Sequence, residues 1–269
     1  PAGKYNDVLG IYGENKCKIC PIGKYNPNNS STTIIDCIDC DLGSYSTIGG
    51  QTNKKEACIS CPAGRYRDAN INSKDGCTIC PNGRISSLAS SNCNSCESGK
   101  YVYGDKDTDH ITCKSCSPGK FNQIRGGDSD NSCILCPKGK YNSKSGSNSS
   151  NYCKYCPPGL YNDKLGSTNI IECKSCPAGK YRHLEGGSDI SDCYDCIPGT
   201  YSESNSIDCK LCEVGKFSSS ASSIDCEICS KFSYSDTNGT VNCKSCIADS
   251  VQSNDATFCE CSENTYYFS

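Results

Sequence analysis

Twenty-eight cysteines, nearly all arranged as Cys-x-x-Cys pairs at a near-constant interval, restrict the folds open to this chain more than any other feature. Thirteen such pairs run from Cys17 to Cys246, about 20 residues apart, and Cys259 and Cys261 close the series as Cys-x-Cys. In eleven pairs glycine follows three residues after the second cysteine: Gly23, Gly43, Gly64, Gly83, Gly99, Gly119, Gly139, Gly159, Gly179, Gly199 and Gly215. Two residues further comes an aromatic ring, from Tyr25 to Phe217, with Ile85 the one exception in that run. A period near 20 marks a linear array whose units touch mainly their neighbours. The expected fold is a small disulfide-rich β protein, a linear array of about 13 short β-hairpin modules forming an extended rod.

Glycine at a fixed offset reads either as a backbone position with positive φ or as a close approach to another strand. In a segment such as Gly179-Lys180-Tyr181, extended alternation sends the lysine to one side and the ring to the other. That makes the ring a lid for a neighbouring cysteine bridge, and Tyr25, Tyr141 and Tyr181 are expected to be substantially buried. Lys24, Lys140 and Lys180 are expected to face solvent or a partner. Little else is apolar, since Leu, Ile, Val and Phe make up about one residue in seven, below the level at which chains usually hold a core. Cross-links therefore have to replace the core, by restricting the unfolded chain loop by loop.

That cysteine density persists only in an oxidising compartment, so the chain is expected to be extracellular or on the cell surface, secreted through an oxidising pathway. Asn28, Asn29, Asn148 and Asn238 stand in Asn-x-Ser/Thr tripeptides within polar loops and are the glycosylation candidates. Asn28 and Asn29 overlap, so one of the two is expected to carry a glycan. From Cys193 the interval shortens, and after Cys229 the glycine gives way to Phe232, Asp249 and Asn264. Residues 1–225 thus read as tandem repeats and 226–269 as degenerate terminal repeats of the same type. The opening Pro1-Ala2-Gly3-Lys4-Tyr5 is the unit without its cysteines, which reads as a piece of a longer repeat protein.

The pattern Cys-x-x-Cys-Pro-x-Gly-x-Tyr, as in Cys173-Lys-Ser-Cys-Pro-Ala-Gly-Lys-Tyr181, resembles the ephrin-receptor-like cysteine-rich repeat, itself similar in style to the first module of TNF-receptor cysteine-rich domains. The resemblance runs over essentially the whole chain. It implies that the cysteine before Pro-x-Gly bonds the first cysteine of the next pair. Carried over, this gives Cys20–Cys37, Cys40–Cys58, Cys61–Cys77, Cys80–Cys93, Cys96–Cys113, Cys116–Cys133 and Cys136–Cys153. It continues with Cys156–Cys173, Cys176–Cys193, Cys196–Cys209, Cys212–Cys226, Cys229–Cys243 and Cys246–Cys259. Cys17 and Cys261 are then left to look for partners outside this stretch. Proline is missing after Cys40, Cys96, Cys116, Cys196 and Cys212, where Asp41, Glu97, Ser117, Ile197 and Glu213 stand.

Zinc is the competing use of Cys-x-x-Cys. Seven ligand sets without a histidine in register, together with sequons and a thin core, favour disulfides. A redox role needs one exposed pair on a βαβ scaffold. Asp105, Asp107 and Asp109 match the first ligands of a calcium loop, but His110 and Cys116 occupy the positions that need glycine and glutamate. Asp128 and Asp130 read as a polar turn, and His110 and His183 as solvated loop residues. No cofactor is expected, and no nucleophile and base come together, so the chain reads as non-enzymatic. A net charge of −3 with mixed signs gives no nucleic-acid footprint, and no apolar run spans a membrane. The basic residue between glycine and ring, as at Lys4, Lys24 and Lys180, reads as a solvated face, with a ladder for anionic glycans as the sharper alternative. The expected function is structural: a rod-like segment of a filament or cell-surface appendage, cilia and flagella included. Its partners are copies of itself or other filament and surface proteins. The alternative is a receptor-type ectodomain binding a protein or glycan ligand, for which Tyr103, Tyr152, Tyr155 and Tyr194 are the first candidates.

Overall fold

The computed structural model describes residues 1–8, 16–70, 74–104, 111–248 and 250–261, with the backbone alone at Cys261. Two-residue strands dominate. Lys4–Tyr5 pairs antiparallel with Lys18–Ile19, Lys24–Tyr25 with Ile38–Asp39, and Lys180–Tyr181 with Tyr194–Asp195. In each, the residues that precede and include the ring meet the two residues inside the next Cys-x-x-Cys. Fourteen such two-stranded ladders follow one another, the last between Ser250–Gln252 and Cys259–Cys261. Isolated two-stranded hairpins are marginal in water. Here each is closed by the cysteine backbone, as where Cys156 N–H donates to Gly139 O at 2.9 Å and Cys176 N–H to Gly159 O at 2.9 Å.

Thirteen disulfides staple the series, from Cys20–Cys37 to Cys246–Cys259, each joining the second cysteine of one pair to the first of the next. Their Cα separations, such as 5.7 Å at Cys20–Cys37 and 5.9 Å at Cys156–Cys173, sit at the usual value for a bridge. Cys17 is unbonded and half-buried. Several loops tighten into one turn of 3-10 helix just before the first cysteine, at Ile34–Asp36, Ile170–Glu172 and Ile190–Asp192 among others. Lys54–Ala57 forms one α-turn there, capped by Asn53.

The chain divides into two compact units. One comprises Pro1–Ser117, Phe121–Ile134 and Ser145–Ser150, and the other Pro118–Lys120, Leu135–Lys144 and Asn151–Ser269. Within each, the core is a file of small clusters. Tyr5 covers Cys20 and Cys37 in the first unit, Tyr101 covers Cys116 and Cys133 there, and Tyr161 covers Cys176 and Cys193 in the second. The ring of one hairpin thus shields the next disulfide. Tyr25, Tyr141 and Tyr181, expected to be substantially buried, are half-buried. The Tyr181 ring lies 6.0 Å from that of its cross-strand neighbour Tyr194 and 6.1 Å from His183.

Both glycine readings hold together. Gly139 has φ +76°, and a Cβ there would collide with the carbonyl of Gly186 in the next repeat but one. Gly179, at φ +81°, stands in the same relation to Ser222. A second left-handed turn, which pattern reading missed, supplies those carbonyls. It falls on Gly146, Gly166 and Gly186 in some loops and on Ala89, Asn205 and Ser222 in others. Phe232, in the place of the repeat glycine, is not left-handed, while Asp249 and Asn264 lie outside the described residues.

Candidate functional site

The residue directly after the ring ties one repeat to the next. Asn26, Asn122, Asn142 and Asn162 are buried there. Each Nδ2 donates to a lysine carbonyl one repeat back: Lys4 O at 3.1 Å, Lys100 O and Lys120 O at 3.0 Å, Lys140 O at 3.3 Å. Each Oδ1 accepts a backbone N–H two residues on, from Asn28, Ile124, Lys144 and Lys164. The asparagine backbone then donates forward, Asn142 to Ser167 O at 2.9 Å and Asn162 to Gly187 O at 2.8 Å. Elsewhere the side chains divide, with Ser46, Ser218, Ser235 and Arg182 bonded within their own loops and Ser86, Ser202 and Arg67 reaching the preceding repeat. Ser86 reaches Arg65 O and Ser202 reaches Lys180 O, while Arg67 bridges the carbonyls of Ser44, Cys40 and Asp41. Buried polar atoms must be paired, so this position fixes how one repeat sits on the next. Its signal was in the sequence, polar after nearly every ring with Val102 the exception, but such a residue beside a loop reads as solvated.

The basic residues between glycine and ring are not a free stripe. Lys24 pairs with Asp39 at 3.0 Å and Lys180 with Asp195 at 2.5 Å, each across its own hairpin. Lys100 lies 3.5 Å from Glu97 and Lys216 3.8 Å from Glu213. Lys140 caps the Tyr155 ring at 4.0 Å, within reach of a cation–π contact. Surface pairs of this kind add little stability. They do reduce the charge available to an anionic partner.

Tyr103, Tyr152, Tyr155 and Tyr194 are all exposed. Lys114 stands over Tyr103 at 4.3 Å and Lys144 over Tyr152 at 4.7 Å, while His183 stacks against Tyr194 at 6.3 Å. His183 is a surface residue, as expected, and its neighbour Tyr181 lines a groove with Asp195, Ile197, Thr200, Asp208 and Cys209. Asp105, Asp107, Asp109 and His110 lie outside the described residues. Among the described residues no three His, Cys, Asp or Glu side chains converge as a metal site, and no helix is long and apolar enough to cross a membrane.

The loop carboxylates cap turns. Asp128 accepts from the hydroxyls of Ser129 and Ser132. Glu172 accepts the backbone N–H of Thr168 at 2.8 Å and Asp192 that of Ser188 at 2.7 Å. Those N–H donors hold both carboxyls below the ordinary carboxylate range. A group depressed in the folded state stabilises it above its unfolded pKa, about 4 for these residues, and loses that contribution as pH falls through the lower folded value. Acidification from pH 5 to 2 should therefore loosen the amides of Thr168, Asn169, Ser188 and Asp189, while Cys176 and Cys196 keep their hairpin bonds. Amide exchange read against pH checks this; equal loosening at all of these amides would contradict it.

Asn28, Asn29, Asn148 and Asn238 are exposed in loops, and Asn238 Oδ1 accepts Val214 N–H at 3.1 Å. Residues 125–173 match the family described as tyrosine-protein kinase ephrin type A/B receptor-like. With the matching disulfide series on either side, that decides the repeat type. These are ephrin-receptor-like cysteine-rich repeats. No curated protein matches the chain. Ephrin-receptor-like repeats are a non-catalytic extracellular module type, serving ligand binding or structure. Together with the disulfide density, they place the chain outside the cell or at its surface.

Proposed function

We propose that this chain is a stiff, rod-like structural segment of an extracellular filament or cell-surface appendage, working beside copies of itself or other surface proteins. The observation that supports the reading most is the backbone of the residue after the ring, as at Asn142, Asn162, Arg182 and Ser202. It bonds backward and forward at once, so bending at a joint leaves buried carbonyls and amides unpaired, at about 1–3 kcal/mol for each. A receptor that reads a ligand with a few loops has no need of a bolt at every joint. Its best anchors, Tyr103, Tyr152 and Tyr155, already hold lysines of their own chain.

If each repeat advances the axis by about 10 Å, thirteen span about 130 Å. Small-angle scattering of the dilute chain should then give a radius of gyration about twice the ~18 Å of a globule of this length. A value near the globular one removes the rod. We further propose N-glycans at Asn148, Asn238 and one of Asn28 and Asn29, whose exposed loops leave room for them. Secreted material should lose mass at these asparagines on endoglycosidase treatment, and unmodified peptides there would refute it.

A further inference from the structure

Among the described residues no isoleucine or leucine is buried. The core is made of cysteine, tyrosine and the polar residues between repeats, so folding does not account for aliphatic side chains placed at one register. Five consecutive repeats place them so. Ile170 with Ile171, then Ile190, Ile207, Ile224 and Val241, precede Cys173, Cys193, Cys209, Cys226 and Cys243 by two or three residues. All are exposed, Ile171 by 84% and Ile224 by 66%.

The joints set that register. Ser206, Ser223 and Thr240, immediately before Ile207, Ile224 and Val241, accept the N–H of Arg182, Ser202 and Ser218 at 3.1, 3.2 and 3.1 Å. Ser167 and Gly187 accept from Asn142 and Asn162 in the same way, three residues ahead of Ile170 and Ile190. All of these residues belong to the second unit.

We propose that this aliphatic row is a lateral docking surface for a second copy of the chain; the proposal rests on the rod reading and names the surface through which rods associate. Its side chains are exposed in every one of the five repeats, from 40% at Val241 to 84% at Ile171, so a partner laid along them gains apolar contact at each. The pitch selects the occupant. A partner that meets an aliphatic side chain in every repeat must itself repeat at that spacing, as another copy does, whereas a globular partner covers only part of the row. Carboxylates flank the row at Glu172, Asp189, Asp192, Asp208 and Asp225, while Lys174, Lys210 and Lys244 are paired within the chain, so association should strengthen as salt screens the acidic rim.

Sedimentation velocity of the whole chain from about 1 to about 100 µM tests this. Reversible self-association is expected. It should weaken at least ~10-fold in the triple variant Ile171→Asp, Ile207→Asp, Ile224→Asp, and hold in a control altered off the row at Ile48, Leu88 and Ile124. A serine set at the same three row positions replaces the aspartates if their disulfides do not all form. A chain monomeric throughout, a row variant that associates like the parent, or a control that weakens equally would each overturn the proposal. Scattering at the dilute end still reports rod or globule, so failure of the row and failure of the rod remain distinguishable.

Discussion

Gly139→Ala should open one joint of the array and leave distant ones closed. The alanine would have to hold φ near +76°, the left-handed region, at about 1–2 kcal/mol. Its Cβ would also press on the carbonyl of Gly186, backbone that is held in place because Gly186 N–H donates to Cys156 O at 2.8 Å. Relief requires either that turn or the Gly139 N–H bond to Asn162 O to give way, so the total should exceed about 2 kcal/mol. The disulfides Cys136–Cys153 and Cys156–Cys173 keep the damage local, since they close the flanking loops whatever happens between them. Hydrogen exchange should show faster amides at Cys156, Asn162 and Gly186 and unchanged ones at Cys20 and Cys40. Uniform loss along the chain would mean that coupling is not nearest-neighbour, and no loss would mean that the contact carries no load.

Ala89→Gly, at the other left-handed turn, should act in the opposite sense, because Ala89 already holds φ +58°. The contrast shows what the sequence exposes and what it conceals. The repeat glycine was legible because one residue type answers two demands, positive φ and close approach, in eleven repeats. The turn it packs against was not, because glycine, alanine, serine and asparagine all occupy it and merge with polar loop composition. The hairpins were legible from the Gly-Lys-Tyr alternation. Which cysteine bonds which was supplied by a family resemblance, since even spacing alone allows more than one order. The buried asparagines were not singled out, because nothing local marks a polar residue as buried when, as for Asn162 Nδ2, the acceptor is a backbone carbonyl one repeat back. The lysines do lie at the surface as read, but their pairing was not foreseen, since the carboxylate beside Lys180 comes from the opposite strand.

Backbone bonds and buried asparagines between repeats explain how a chain with so few core residues keeps order. The joint at Tyr161 and Asn162 combines a ring over a disulfide, a buried amide whose residue bonds both ways, and a glycine, Gly139, under a carbonyl. None of these needs an aliphatic side chain. Isoleucine is thereby left for the outside, which is why its placement before the cysteines carries information about partners and not about folding.

Tyr161→Ala should rank with Tyr5→Ala and Tyr101→Ala among the largest losses of any ring. Tyr161 is 9% exposed and packs on Cys176 and Cys193, so its removal strips the cover from a disulfide in a structure with no deeper core to fall back on. Large aromatic-to-alanine changes in cores cost about 3–5 kcal/mol, and a one-layer core of this kind should sit near the lower end. Tyr155→Ala offers the comparison, since that ring is 49% exposed and its Lys140 contact is worth no more than about 1 kcal/mol. The consequence reaches beyond stability. Cys176 and Cys193 are shielded from solvent by the ring, and an attacking thiolate needs access to sulfur. Stepwise reduction with a thiol, followed by alkylation and mass mapping, should label Cys176 and Cys193 among the first cysteines in Tyr161→Ala and late in the parent. Tyr155→Ala should keep the parental order. If the order is the same in all three, the ring is not the lid, and the protection of these bridges must come from the hairpin backbone, where Cys176 N–H remains bonded to Gly159 O.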